Sequence, residues 1–147
     1  MSAQERRKSL LKLILAASIV STAAHYSHNY VQVDQYPLGG GLSETAIRAA
    51  ILVSWPLLTA VGLVGYRQYS RRRYREAHAC LLAYSFTGIS TLGHFLYGSP
   101  DIPPVWYATI FTDGLTGLAV LAFTVWSALA VRADAEATSL GARAAAR

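Results

Sequence analysis

Charge falls along this chain in blocks, and that pattern limits the fold more than any other feature. Four stretches, 10–30, 45–66, 76–97 and 105–131, are mostly apolar and nearly free of charge. Each has the roughly 20 helical residues, at about 1.5 Å per residue, that crossing a hydrocarbon core about 30 Å thick requires. Only 14% of the residues are charged, against about a quarter in a soluble domain. A soluble bundle would spread charge along the solvated face of every helix, whereas here it collects between the stretches. With 147 residues there is room for one domain. The expected fold is therefore all-α: a four-transmembrane-helix bundle, antiparallel and up-down, over residues 1–132. Residues 133–147, rich in Ala and Arg, form a tail that is either a frayed helix or disordered.

The connections carry their own signals. The first, 31–44, holds Tyr36-Pro37 and the run Gly39-Gly40-Gly41, then Ser43 as an N-cap for the second helix. The second, 67–75, is strongly basic, and the third runs Gly98-Ser99-Pro100-Asp101-Ile102-Pro103-Pro104. Trp55-Pro56 puts a proline in mid-helix, which removes one backbone donor from the ladder and kinks the helix.

Basic residues orient the bundle. Arg6, Arg7, Lys8 and Lys12 precede the first span. Arg67, Arg71, Arg72, Arg73 and Arg75 lie between the second and third, and Arg132, Arg143 and Arg147 follow the fourth. These are all but one of the 13 Lys and Arg residues, and a four-span topology puts them on one side. The other side has only Arg48, with Asp34, Glu44 and Asp101. The positive-inside rule then predicts a multi-pass protein of the bacterial inner membrane with both termini cytoplasmic. The same bias accounts for the net charge of +5 without a nucleic-acid partner. The expected partners are the lipid bilayer and another membrane protein or a second copy of the chain. Arg71-Arg72-Arg73 also suits anionic lipid, although a topology signal explains it. Arg48 most simply pairs with Glu44 one turn earlier, and Asp34 and Asp101 are alternatives. The aromatics fit the same layout: Tyr26, Tyr30, Tyr36, Phe95, Tyr97, Trp106 and Tyr107 as an outer belt, and Tyr66, Tyr69 and Tyr74 as an inner one.

The single cysteine, Cys80, excludes an internal disulfide, a CxxC pair and a cysteine-rich zinc site, and reads as a small buried residue.

Inside the spans a polar seam emerges. Ser18, Ser21, Thr22, His25, His28 and Asn29 recur at steps of three and four in the first helix, and so share a face. Thr87, Ser90, Thr91 and His94 do the same in the third, and Thr109, Thr112, Asp113 and Thr116 in the fourth. Hydroxyl stripes ordinarily serve helix packing in membranes. The histidines and the aspartate ask for more. Only 12 residues separate Lys12 from His25, too few to cross, so His25 lies within the outer membrane region, with His28 and Asn29 about one turn higher. His94 falls at similar depth and Asp113 deeper. Ionisable groups there are costly unless paired or wet, and they mark function. His78, beside Glu76 at the opposite end, reads as interfacial.

A signal peptide is the rival reading of the first span: basic residues, the apolar run 13–24, then Thr22-Ala23-Ala24. Cleavage would leave His25 at a new amino terminus, a copper-site arrangement with His28. The polar stripe, which needs partner helices, argues for retention. Spans one and three also end alike. His25-Tyr26 precedes Asp34 and Tyr36-Pro37, and His94-Phe95 precedes Asp101 and Pro103-Pro104. Two repeated helical hairpins would put both His-aromatic pairs at one level.

The string His25-Tyr26-x-x-Asn29, Tyr36-Pro37 and Gly93-His94-Phe95 is similar to motifs of small four-span bacterial membrane proteins of unassigned function. The resemblance implies the four-span fold and draws attention to His25, Asn29 and His94. It implies no activity, and Asp113 is outside the pattern.

Three classes of function fit these residues. The first is a metal site with His25, His28, His94 and Asp113 as ligands for a transition metal ion (Cu, Zn or Fe), or two of the histidines as axial ligands of a haem. The second is a non-catalytic accessory or partner-binding subunit with the seam as interhelical glue. The third is a membrane-embedded isomerase or hydrolase of a lipid or terpenoid, with His and Asp as acid and base. The sequence has no phosphate loop and no nucleophile triad.

Two outcomes test the topology. Reporter fusions at both ends should be active only in the cytoplasm, and a periplasmic C-terminus would overturn the orientation. The intact mass of the purified protein should include residues 1–24, and a chain starting at His25 would overturn retention of the first helix.

Overall fold

The computed structural model describes residues 2–37, 41–96 and 98–145, so Tyr97, Gly39, Gly40 and Arg147 of the features above lie outside the described residues. As expected, the chain is an all-α four-helix bundle. Helix α1 spans Ala3–Val31, α2 Glu44–Ser70, α3 Tyr74–Ile89 and α4 Pro104–Ala145. A short 3-10 turn, Val33–Gln35, follows α1, and α3 continues as a 3-10 segment, Ser90–Leu96. Taking α3 with its extension as Tyr74–Leu96, all four are long and apolar enough to cross a membrane.

The helix ends follow local chemistry. Ser43 caps α2 by accepting from the Ala46 amide at 3.3 Å, the role its position predicts. Ser2 does the same for α1 through the Glu5 amide. Arg48 pairs with Glu44 at 3.3 Å and also donates to the Tyr30 carbonyl at 3.0 Å, closing the end of α1. The third span tightens into a 3-10 segment at Ser90, where Ser90 and Thr91 donate their hydroxyls back to the Thr87 and Gly88 carbonyls, at 3.3 and 2.6 Å. Such back-bonding competes with the regular ladder. Helix α4 continues through Ala145, so the tail takes the helical of its two alternatives, with residues 133–145 exposed.

The helices form a ring in which sequence neighbours pack together and α1 meets α4 to close it. The neighbours are antiparallel. Thr22 meets Trp55 and Tyr30 meets Arg48, while His78 meets Ser127 and Arg7 meets Asp134. Helices α1 and α3 run parallel across the middle, joined by Tyr84 to Ser18 at 3.2 Å and Tyr26 to the Thr87 carbonyl at 2.9 Å. Both termini and the Arg-rich turn therefore share one end, and the two other connections share the opposite end, called here the loop end.

The radial distribution is inverted relative to a soluble protein. Ser18, Thr22, His25, Thr87 and Asp113 are buried, while Leu52, Val53, Leu57, Phe111, Leu115 and Leu129 face outward. Water would reverse this arrangement, whereas lipid accepts the apolar side chains and drives the polar ones inward. Three aromatics depart from the belts expected of them. Tyr26 turns in to bond α3, and Tyr36 and Tyr69 are buried, because each hydroxyl finds a partner inside. Cys80 is half-buried, rather than fully buried, with its Cβ against Gly65.

The closest helix contact is between α3 and α4. A Cβ on Gly88 would run into the backbone carbonyl of Asp113, and one on Gly117 would lie 2.8 Å from the Ile89 nitrogen and the Ser85 oxygen. Backbone on both sides cannot yield to a methyl group. Gly88→Ala and Gly117→Ala should each lose about 1–3 kcal/mol by overpacking and melt several degrees lower in detergent. Gly141→Ala, with nothing within 4 Å, should be neutral or slightly stabilising. An unchanged melting temperature for Gly88→Ala would refute the contact.

Candidate functional site: a histidine and tyrosine cluster at the loop end

From the terminal end upward, the interior changes in layers. The first is apolar and aromatic: Leu11, Leu15, Tyr69, Leu81, Tyr84 and Phe123. Above it lies a layer of hydroxyls. Thr22 accepts from the Trp55 indole at 3.1 Å, Ser21 meets Thr112 at 2.9 Å, and Ser21 donates to Asp113 Oδ1. The third layer contains the histidines. Helix α1 connects all three through one buried stripe, Leu11, Leu15, Ser18, Thr22, His25 and Asn29, whose steps of three and four keep it on a single face.

His25 is at the centre of the third layer and is fully buried. Its ring centroid is 5.3 Å from that of His94 and 6.0 Å from that of Tyr36. Its Nδ1 is 3.4 Å from Thr109 Oγ1, and its Nε2 has no hydrogen-bond partner among the described residues. His94, on the 3-10 extension of α3, stands 4.8 Å from the Tyr36 ring, with Nε2 at 3.2 Å from Asn29 Nδ2. Asn29 Oδ1 is likewise buried without a partner among the described residues. His28 has Nδ1 at 2.8 Å from the Tyr36 hydroxyl and stacks on Trp106 at 4.1 Å. Burial pushes the Tyr36 phenol, in the connection outside the spans, up to about 12. It therefore stays a neutral hydroxyl beside His28 Nδ1.

Of the four residues expected as ligands, His25 and His94 are brought into one cluster. His28 joins it only through Tyr36. Asp113, one helical turn below Thr109, sits in the hydroxyl layer with Ser21, and its Oδ2 lacks a partner. Among the described residues, no group of three or more His, Cys, Asp or Glu side chains is placed to share one ion. His78 lies at the terminal end against Ser127, Tyr69 and Tyr74, apart from the cluster. The two His-aromatic pairs do lie at one level. The loops behind them are joined by the Asp101 amide donating to the Gln35 carbonyl at 2.8 Å. The two halves differ, however, because His25 rides a regular α-helix and His94 a 3-10 segment.

Sequence reasoning missed the central place of Tyr36, which it assigned to the membrane boundary, and the contact of Trp106 with His28. The one available signal was the Tyr36-Pro37 pair, which ends the turn after α1 and is short enough to fold back over it. Beside His28 a cleft of about 530 Å³ opens outward, lined by Ser27, Gln32, Gln35, Pro103 and Trp106 among others. It leads from outside the bundle to the edge of the cluster.

No protein-family model, no curated protein and no solved structure matches this chain.

Proposed function

We propose that this chain is a multi-pass protein of the bacterial inner membrane, with both termini cytoplasmic, that holds one transition-metal ion between His25 and His94 near the outer face. The observation that carries the reading is the 5.3 Å between the two rings, together with a fully buried His25 whose Nε2 has no partner. Two imidazoles bound to one ion at about 2.0–2.1 Å, with a tetrahedral angle between them, put their ring centroids about 5 Å apart. Imidazole suits Cu, Zn and Fe alike.

The rest of the cluster supports a site of this size. Asn29 Oδ1 is a further oxygen donor without a partner. Thr109 beside His25 Nδ1, at 3.4 Å, orients the ring as outer partners of metal-bound histidines do. Tyr36 packs on both imidazoles, and the cleft at His28 supplies a way in. Haem fits less well, since its macrocycle needs a slot between the rings, and Asn29 and Tyr36 fill the space around them. Asp113 is a turn deeper and serves packing through Ser21 rather than the ion.

A second reading has its own observation. The Tyr36–His28 and Asn29–His94 contacts would also act as interhelical glue in a non-catalytic accessory subunit.

Elemental analysis of detergent-purified protein, as isolated and after loading with zinc, copper or iron, separates the two readings. The metal reading expects about one ion per chain, lost in His25→Ala and His94→Ala and kept in His78→Ala. No retained metal in the wild type under any loading would overturn it. The glue reading then expects His25→Ala to lower the melting temperature with no metal change.

A further inference from the structure

At the opposite end of the bundle, the seam between α1 and α4 has two parts of different chemistry. Arg7 stands at their junction. Its guanidinium is 2.8 Å from the Asp134 carboxylate and lies over the Trp126 ring at 5.8 Å. Toward the chain termini, Arg7 borders a cavity of about 360 Å³ whose wall includes Gln4, Arg72, Tyr74, Asp134 and Thr138. It also borders a smaller one, about 230 Å³, with Ala3, Arg6, Leu10 and Trp126 in the wall, which reaches toward the middle of the bundle at Leu10 and Trp126. Leu10 is about one turn further along α1 than Arg7, and Trp126 about two turns along α4 from Asp134. The polar part thus opens at the end of the bundle, and the apolar part continues into the span.

Arg72 gives the polar part its charge. Arg7 is neutralised by Asp134, and Arg73 by Glu76 at 2.7 Å. Arg72 is exposed, lines the cavity, and has no carboxylate partner among the described residues. Its backbone is also held at φ 61°, the one non-glycine residue with positive φ among those described. Arg72 closes α2 in that conformation through a Schellman motif, its amide on the Tyr69 carbonyl and the Arg73 amide on the Gln68 carbonyl, both at 3.0 Å, which fixes where its side chain starts. Arg71 and Arg75 add to the positive field, and the one carboxylate lining the cavity is already engaged.

A cation with polar neighbours at the water-facing end, joined to an apolar slot at membrane depth, matches one class of molecule. We propose that the α1–α4 seam binds one anionic phospholipid, its phosphate at Arg72 and Tyr74 and an acyl chain along Leu10 and Trp126. A zwitterionic lipid brings its own cation toward Arg72 and is disfavoured. A soluble phosphate uses only half of the seam.

The probe is phosphatidylglycerol with brominated acyl chains, which quenches nearby tryptophan. With the full-length protein in detergent, quenching should saturate at one lipid per chain and be lost in Trp126→Phe. Brominated phosphatidylcholine at the same concentration should quench weakly. Arg72→Gly keeps the fold, because glycine accepts positive φ, and should weaken phosphatidylglycerol about fivefold, the weight of one basic residue at an anionic surface. Arg71→Gln, outside the cavity, should change it less than twofold. Excess glycerol 3-phosphate should leave the lipid bound. Equal binding of the two lipids, or an equal loss in Arg71→Gln, would reduce the effect to diffuse charge and overturn the proposal. Displacement by glycerol 3-phosphate would assign the site to a soluble phosphate instead.

Discussion

Backbone contact between α3 and α4 sets the register on which the rest of the bundle depends. At Gly88 and Gly117 nothing but hydrogen separates the two helix backbones. In a bilayer, helices gain no hydrophobic free energy by meeting, so close van der Waals packing has to hold them. Once α4 is seated at that height, Thr91 reaches the Ile110 carbonyl at 3.3 Å. Thr109, Thr112 and Asp113 then face α1 at the levels of His25 and Ser21. A shift of α4 by one turn would remove all of these partners together.

The polar interior follows from the same solvent. A buried hydroxyl or imidazole without a partner costs roughly 1–3 kcal/mol on protein scales, and more in a dry apolar setting. Most of the seam meets that demand with neighbours: Tyr84 with Ser18, Trp55 with Thr22, Tyr36 with His28. Among the described residues His25 Nε2, Asn29 Oδ1, Thr87 Oγ1 and Asp113 Oδ2 do not. The first two belong to one cluster in which the His25 and His94 rings stand 5.3 Å apart, and that pair of imidazoles is why chemistry is assigned there rather than to the hydroxyl layer. Asp113 has the Ser21 hydroxyl and no imidazole contact.

The two ends of the molecule answer to different chemistry. The loop end joins imidazole, phenol and amide groups in a tight, partly closed cluster with a cleft at its edge. The terminal end is built from guanidinium groups, of which Arg7 and Arg73 are held by Asp134 and Glu76. A four-span chain with its cations on one side arrives at this division naturally, since basic residues stay with the termini and uncharged ligating groups remain within the spans.

Much of this was legible in the residues. The block pattern of charge determined four membrane-length helices, and their even number put both termini at one end. Helical spacing showed that Ser18, Thr22, His25 and Asn29 share a face, and Ser43 announced the start of α2. These features are local or periodic, so a single chain suffices to read them. The tertiary structure alone decided which faces meet. Nothing local says that Tyr36 folds over two histidines, that His94 comes to lie beside His25, or that Asp113 stops one turn short of them. Such outcomes depend on distances between residues far apart in the chain, and those are set by packing, above all by how closely two glycines let α3 and α4 approach.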